Sequence, residues 1–215
     1  VQLLGVERGA FREAVARGRA AVKSQLGDTA SSHNRLLYYH RAIEYLGMKS
    51  RPLTSMDLEQ TYWRAFLAHA RLFAEVDDFV RDLRSAGIAT AVLTDLTAQI
   101  QFRKLIYFGL EGAFDFVVTS EEAGADKPAF APFRLVIDKL GVSPAEVWMI
   151  GDDPVKDIQG ARGFGITALQ MRRPEVSIGA GEAAPDATFE NFGDLRRLLR
   201  ELVTDHGAPS STRHV

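Results

Sequence analysis

Trp148-Met149-Ile150-Gly151-Asp152-Asp153-Pro154-Val155-Lys156-Asp157 is the stretch that decides how the rest of the chain is read. The apolar run 147–150 reads as a buried strand. It breaks at Gly151 and releases three carboxylates, Asp152, Asp153 and Asp157, within one short turn. Like charges held this close raise one another's pKa unless a cation joins them. Oxygen-only donors at a strand end suit a hard ion, magnesium first. The plainer reading is a solvated acidic turn that opens a helix, where Asp is favoured as a cap and by the helix dipole. The surrounding sequence separates the two.

Outward from this stretch, strand-like and helical patterns alternate. A helix over 76–85 ends at Gly87. Then follow a strand over 88–93, a helix over 98–108, a strand over 116–119 and a helix over 131–140, in which Phe133, Val136, Ile137 and Leu140 align. The strand 147–150, a helix over 155–162 and a strand over 166–170 complete the alternation. A last helix over 194–203 carries Leu195, Leu198, Leu199 and Leu202 at helical spacing. Apolar strands alternating with helices predict an α/β fold, a parallel sheet with helices on both faces.

The first third of the chain looks entirely helical. Helices are expected over 7–26 and 33–46, with Leu36, Leu37, His40, Ile43 and Gly47 sharing a face of the second. A third, capped by Thr54 or Ser55, runs to about residue 70 with Leu58, Tyr62, Ala65, Phe66 and His69 on one side.

Composition narrows the function classes. At 215 residues the chain can bury a full core. A net charge of -2 disfavours a nucleic-acid binder driven by phosphate neutralisation. The absence of cysteine excludes disulfides and cysteine-ligated metals. No run approaches the ~18 apolar residues of a membrane helix, and the start lacks a signal-peptide pattern, so no membrane partner and a cytoplasmic location are expected.

Ligands of parallel sheets bind beyond the carboxyl ends of the strands. Just past 88–93 come Thr94 and Asp95. Past 116–118 come Thr119, Ser120 and a loop to Lys127-Pro128, and past 147–150 come Asp152 and Asp153. All three strand ends therefore project polar groups to one edge. Thr94 suits donation to a phosphoryl oxygen, Lys127 suits neutralising the charge that develops on it, and the acidic turn suits the metal that clamps the same group. Alone, Thr94 reads as the end of a strand and Lys127 as a surface lysine. Their joint placement argues for function.

This order and spacing resemble the haloacid dehalogenase-like hydrolase superfamily, most of whose members are phosphatases. Leu93-Thr94-Asp95 is similar to its second motif, Lys127-Pro128 to its third and Gly151-Asp152-Asp153-Pro154-Val155-Lys156-Asp157 to its fourth, the acidic metal loop. The resemblance implies a helical cap domain over 1–72 and a Rossmann-like core over 73–204; residues 205–215 read by composition as a flexible tail. It also implies a magnesium-dependent phosphatase of a small phosphorylated metabolite that works through an aspartyl-phosphate, as a monomer or homodimer. Thr94, Lys127 and Asp152 would be catalytic. Thr94, Asp95 and Lys127 would bind substrate, and Asp152 with Asp153 or Asp157 would hold magnesium. Specificity would lie in the cap, where His33, Asn34, Arg35, Tyr38, His40 and Arg41 supply polar groups. As a strand-end residue, Lys127 is expected to contribute little to the core.

The family's first motif, a strand ending in Asp-x-Asp with the nucleophile first, has no match before the cap helices. The chain opens Val1-Gln2-Leu3-Leu4-Gly5, and Asp95-Leu96-Thr97 imitates only the end of that motif on the strand that fits the second. An aspartate-bearing strand upstream of Val1 is expected, lying between the strands that end at Thr94 and Ile150. Direct pairing of those two strands would instead point to a non-catalytic binding relative. A 2-haloacid dehalogenase is the other alternative. It needs no metal, and the three carboxylates would then sit uncompensated.

Overall fold

Among the described residues five short strands form two parallel ladders. β1 (Ala91–Thr94) pairs with β2 (Phe116–Thr119), Ala91 opposite Phe116 and Thr94 opposite Thr119. β3 (Trp148–Gly151), β4 (Thr167–Met171) and β5 (Ala187–Phe189) pair in that order, Gly151 opposite Gln170 and Met171 opposite Phe189. The structure, a computed structural model, describes residues 4–206, with side chains to residue 200. Residues 1–3, the expected tail from 207 onward and the side chain of Leu202 lie outside what is described. Asp205 and His206 continue a helix rather than begin a tail.

Nine α-helices surround the ladders among the described residues: α1 (Arg8–Leu26), α2 (Arg35–Tyr45), α3 (Pro52–His69), α4 (Val76–Ser85), α5 (Ala98–Tyr107), α6 (Ser120–Ala123), α7 (Phe130–Leu140), α8 (Gly160–Gly163) and α9 (Phe192–His206). The chain is therefore helical up to His69, and every strand follows. β5 escapes the sequence pattern because its three residues follow a loop rich in Gly, Ala and Pro. The helix expected over 155–162 is split. Pro154–Gln159 winds as a π-helical turn before α8, so one extra residue per turn is accommodated beside the site.

Two apolar clusters cover the two faces of the strands. On one, Phe133, Val136 and Ile137 of α7 meet Val118, Ile158, Ala161 and Ala168, with Leu93, Val147 and Met149 packed against them. On the other, Phe79 of α4 and Leu195 and Leu199 of α9 meet Leu169, Met171 and Phe189. Arg196 fastens α9 to α4 through Asp82 at 2.8 Å and Asp78 at 3.0 Å. Hydrogen bonding to Arg196 holds the Asp82 carboxyl below its usual range. Leu93, Val147 and Met149 share the first cluster, so both ladders belong to one layer. Even so, β1 and β3 do not pair, and among the described residues no strand lies between them.

Two helix faces differ from the expected ones. α2 buries Tyr38, Ala42 and Ile43, because the Tyr38 hydroxyl donates to the Ser32 carbonyl and turns that side inward. α3 buries Ser55, Trp63 and Leu67 and leaves Phe66 exposed. The bulk of Trp63, rather than the stripe through Tyr62 and Phe66, sets its rotation.

α1 and α2 approach most closely at Gly18, where an added Cβ would lie 2.5 Å from the Tyr38 carbonyl and 3.1 Å from the Ala42 amide. Backbone cannot yield as a side chain can. Gly18→Ala is therefore expected to lower stability by about 1–3 kcal/mol, as overpacking does. Thermal melting checks this, and an unchanged midpoint would mean the two helices are not in close contact.

Candidate functional site

The carboxyl ends of β1, β2 and β3 bring Thr94, Thr119 and Gly151 to one edge, where the sequence places its polar groups. Lys127 arrives there from the loop between α6 and α7. It is buried, not superficial, with 8% of its surface exposed. Its Nζ donates to the Leu93 carbonyl on β1 at 3.2 Å and pairs with Asp157 Oδ1 at 2.6 Å. Asp157 follows β3, so this one ammonium bridges the opening between the two ladders. Its lesser contribution to the core, expected from a strand-end lysine, is corrected accordingly: both partners are buried.

The three carboxylates of the acidic turn do not converge. Asp157 points inward: its Oδ1 takes Lys127 and its Oδ2 accepts from the amides of Asp152 and Asp153, each at 3.1 Å. Asp153 caps the π-helical turn, its Oδ1 accepting from Val155 N at 3.0 Å and Lys156 N at 2.9 Å. Asp152 faces outward to Arg173 at 3.1 Å in a pair exposed on both sides, so its carboxylate is weakly held. The fully buried Gln170 donates to the Asp152 carbonyl at 3.1 Å and fixes the turn from below. Among the described residues no three His, Cys, Asp or Glu side chains form a metal-ligand set. The donors that fit a hard cation are the carboxylate of Asp152 and Asp153 Oδ2, both oxygen.

Asp95, expected at the substrate, has both oxygens engaged. Oδ1 accepts from the Lys127 amide at 2.9 Å and Oδ2 pairs with Lys156 at 2.9 Å. Burial pulls the Lys156 ammonium down, but the Asp95 hydrogen bond and the charges of Asp95, Asp126 and Asp153 outweigh it and hold it above its ordinary value. Two pairs, Lys127 with Asp157 and Lys156 with Asp95, therefore tie the loop between α6 and α7 and the loop after β1 to the turn after β3. Sequence reading passed over Lys156. Its signal was its place inside the acidic turn, where a cation can answer the carboxylates. Thr94, at the end of β1 and next to Leu93, is half-buried beside this network.

A third pair joins the helical segment to the site. His33 Nε2 lies 2.7 Å from Asp126 Oδ2, one residue before Lys127, and Asp126 N donates to the Asp28 carbonyl at 3.1 Å. Asp126 is buried, and among the described residues neither its Oδ1 nor the Ser120 hydroxyl has a hydrogen-bond partner. His33 is one of the polar cap residues, and its tie to Asp126 spans 93 positions, which no local pattern in the sequence announces.

A buried ammonium, a strand-end threonine and an acidic turn thus share one edge of the parallel strands. A family profile, haloacid dehalogenase-like hydrolase, matches residues 7–165. The chain is 37% identical over 196 residues to ribulose-1,5-bisphosphate 5-phosphatase of Halopiger xanaduensis, over 88% of this chain and 82% of that one. It is 34% identical over 164 residues to phosphoserine phosphatase of Thermus thermophilus, over 75% of this chain and 62% of that one. Among solved structures, 2-haloacid dehalogenase of Pseudomonas syringae superposes with a TM-score of 0.65 at 23% identity, over 93% of this chain and 84% of that one. The chain belongs to the haloacid dehalogenase-like hydrolases and groups with phosphatases of that family. No helix among the described residues is long and apolar enough to cross a membrane.

Proposed function

We propose that this protein is a magnesium-dependent phosphatase of a small phosphorylated metabolite. The observation that carries the reading is the Lys127 ammonium, fixed at the sheet edge between the Leu93 carbonyl and Asp157 and next to Thr94. A buried cation held on two sides is preorganised for the charge that gathers on a transferring phosphoryl group. Thr94 and Lys127 hold that group, and Asp95 and Asp157 position Lys127. Asp152, which pairs with Arg173 in the metal-free protein, and Asp153 Oδ2 would hold the cation. Magnesium, when bound there, supplies the positive charge that screens phosphate from the acidic turn.

The unpaired edges of β1 and β3 support an aspartate-bearing strand between them, as the family resemblance implies. Its carboxylate would attack phosphorus, displace the alcohol and form an aspartyl-phosphate that water then hydrolyses. The relatives named above act, by their names, on a sugar bisphosphate and on phosphoserine. Both are small phosphate monoesters.

The test uses the intact protein, its mass verified. It is expected to hydrolyse an aryl phosphate with magnesium, to stop when the metal is chelated and to recover when magnesium is restored. Metal-independent halide release from 2-chloropropionate would overturn the reading in favour of a dehalogenase. Turnover of neither compound would make this a non-catalytic relative.

A further inference from the structure

Trp63 of α3 is nearly fully buried, with 2% of its surface exposed, and two cations lie over its ring. The Arg35 guanidinium at the start of α2 is 4.5 Å from the Trp63 centroid and 4.7 Å from that of Tyr62. The Lys104 ammonium of α5 is 5.7 Å from Trp63 and 5.8 Å from Phe66. Among the described residues neither cation makes an ion pair, whereas Arg103, Lys127, Lys156 and Arg196 each do. Glu59, the carboxylate in this neighbourhood, pairs instead with Arg103 at 3.8 Å. Burial, then the charge of Arg35, pulls the Lys104 ammonium below its ordinary value. Aromatic faces attract cations but offset only part of their lost hydration. Two half-buried like charges without a counter-ion are a standing cost in the free protein, and an anion between them removes it.

The chain path puts this cluster within reach of the phosphoryl site. Arg35 is two residues from His33, which bonds Asp126 beside Lys127. Lys104 is seven residues beyond Thr97, which opens α5 directly after Thr94 and Asp95. Seven residues of helix rise about 10 Å. That spacing suits one small molecule with an anionic group at each end.

We propose that Arg35 and Lys104, arrayed on Trp63, hold a second anionic group of the substrate, so that the substrate is a phosphate ester with two anionic ends. The inference rests on the phosphatase reading and names the substrate class of that site.

The experiment compares a sugar bisphosphate with the monophosphate of the same sugar. The bisphosphate is expected to have at least about tenfold higher kcat/KM, the scale of one charge-assisted contact. Lys104→Met is expected to erase most of that preference, mainly through KM. Binding is read separately by fluorescence. The chain has two tryptophans, and Trp148→Phe, at the far end of β3, leaves Trp63 as the sole reporter. Adding the bisphosphate should change Trp63 emission, and Lys104→Met in that background should abolish the change. Because Lys104→Met removes a desolvated charge, the ligand-free variant should melt no lower than its parent, which separates a lost contact from a lost fold. Equal kcat/KM for the two sugars, or a preference that survives Lys104→Met, would overturn the inference while leaving the phosphatase reading intact. If no phosphate ester is turned over, that reading fails, and the Trp63 titration still decides whether the site binds the bisphosphate.

Discussion

Lys127→Ala is expected to abolish turnover and also to melt the protein well below its parent. The loss of activity follows from the role proposed for this ammonium at the phosphoryl group, about 10²–10³-fold for one preorganised electrostatic contact. The loss of stability follows from what stays behind. Asp157 has 6% of its surface exposed, and without Lys127 it is a buried carboxylate without a cation. Removing one partner of a buried pair costs about 3–5 kcal/mol. The two amides that still donate to Asp157 Oδ2 place this case at the lower end. For a chain of this size about 3 kcal/mol corresponds to a drop of roughly 6–12 °C in the melting midpoint. The Leu93 carbonyl on the unpaired edge of β1 loses its donor in the same change. A second substitution, Asp157→Asn, removes the stranded charge and keeps an acceptor for the two amides. Lys127→Ala/Asp157→Asn is therefore expected to recover most of the midpoint and none of the turnover. A single variant that melts like the parent would mean that Lys127 and Asp157 are not buried together. A double variant that regains activity would remove Lys127 from the chemistry.

That double outcome marks the boundary of what the sequence discloses. The alternation of strands with helices and the placement of Thr94, Lys127 and the acidic turn at strand ends are legible, because apolar periodicity and the polar residues that end a strand are local signals. The burial of Lys127 is not. It depends on Asp157 turning inward, which depends on a π-helical turn whose extra residue no pattern announces. Three neighbouring carboxylates suggest a shared ion. In the fold they point three ways, each answered by its own partner: Arg173, the turn's own amides and Lys127. The pairs of His33 with Asp126 and of Lys156 with Asp95 join residues 93 and 61 positions apart, and single residues carry no trace of such contacts. Helix faces fail for a related reason. In α3 the counted stripe through Tyr62 and Phe66 was apolar, but the deepest position went to Trp63, the larger group. The opening between β1 and β3 was legible as an expectation from the missing first motif, and the ladders agree with it to the extent that these two strands do not pair.

Gly151→Ala is expected to damage the fold and the site together. Gly151 reads in sequence only as the residue that breaks a strand. In the fold its missing side chain is the space that the Asp157 carboxylate occupies: an added Cβ would lie 2.5 Å from Asp157 Cβ and Cγ and closer still to Oδ2. The glycine cannot recede, because it is held in register opposite Gln170. Asp157 must therefore leave. It then releases Lys127 and the amides of Asp152 and Asp153 together, so the cation, its anchor and the turn that carries Asp152 are all displaced by one substitution. Overpacking of this kind costs about 1–3 kcal/mol. Turnover should fall by about 10²-fold or more, since a displacement near 1 Å at a catalytic group has that effect. Gly163→Ala is the matched control. Its Cβ would meet nothing within 4 Å, and it lies in the short helix α8, where Ala is favoured over Gly by about 0.5–1 kcal/mol. The control should melt at or above the parent midpoint with unchanged turnover. If Gly151→Ala kept full activity, Asp157 would not be what holds Lys127 in place, and the positioning role assigned to it would fall.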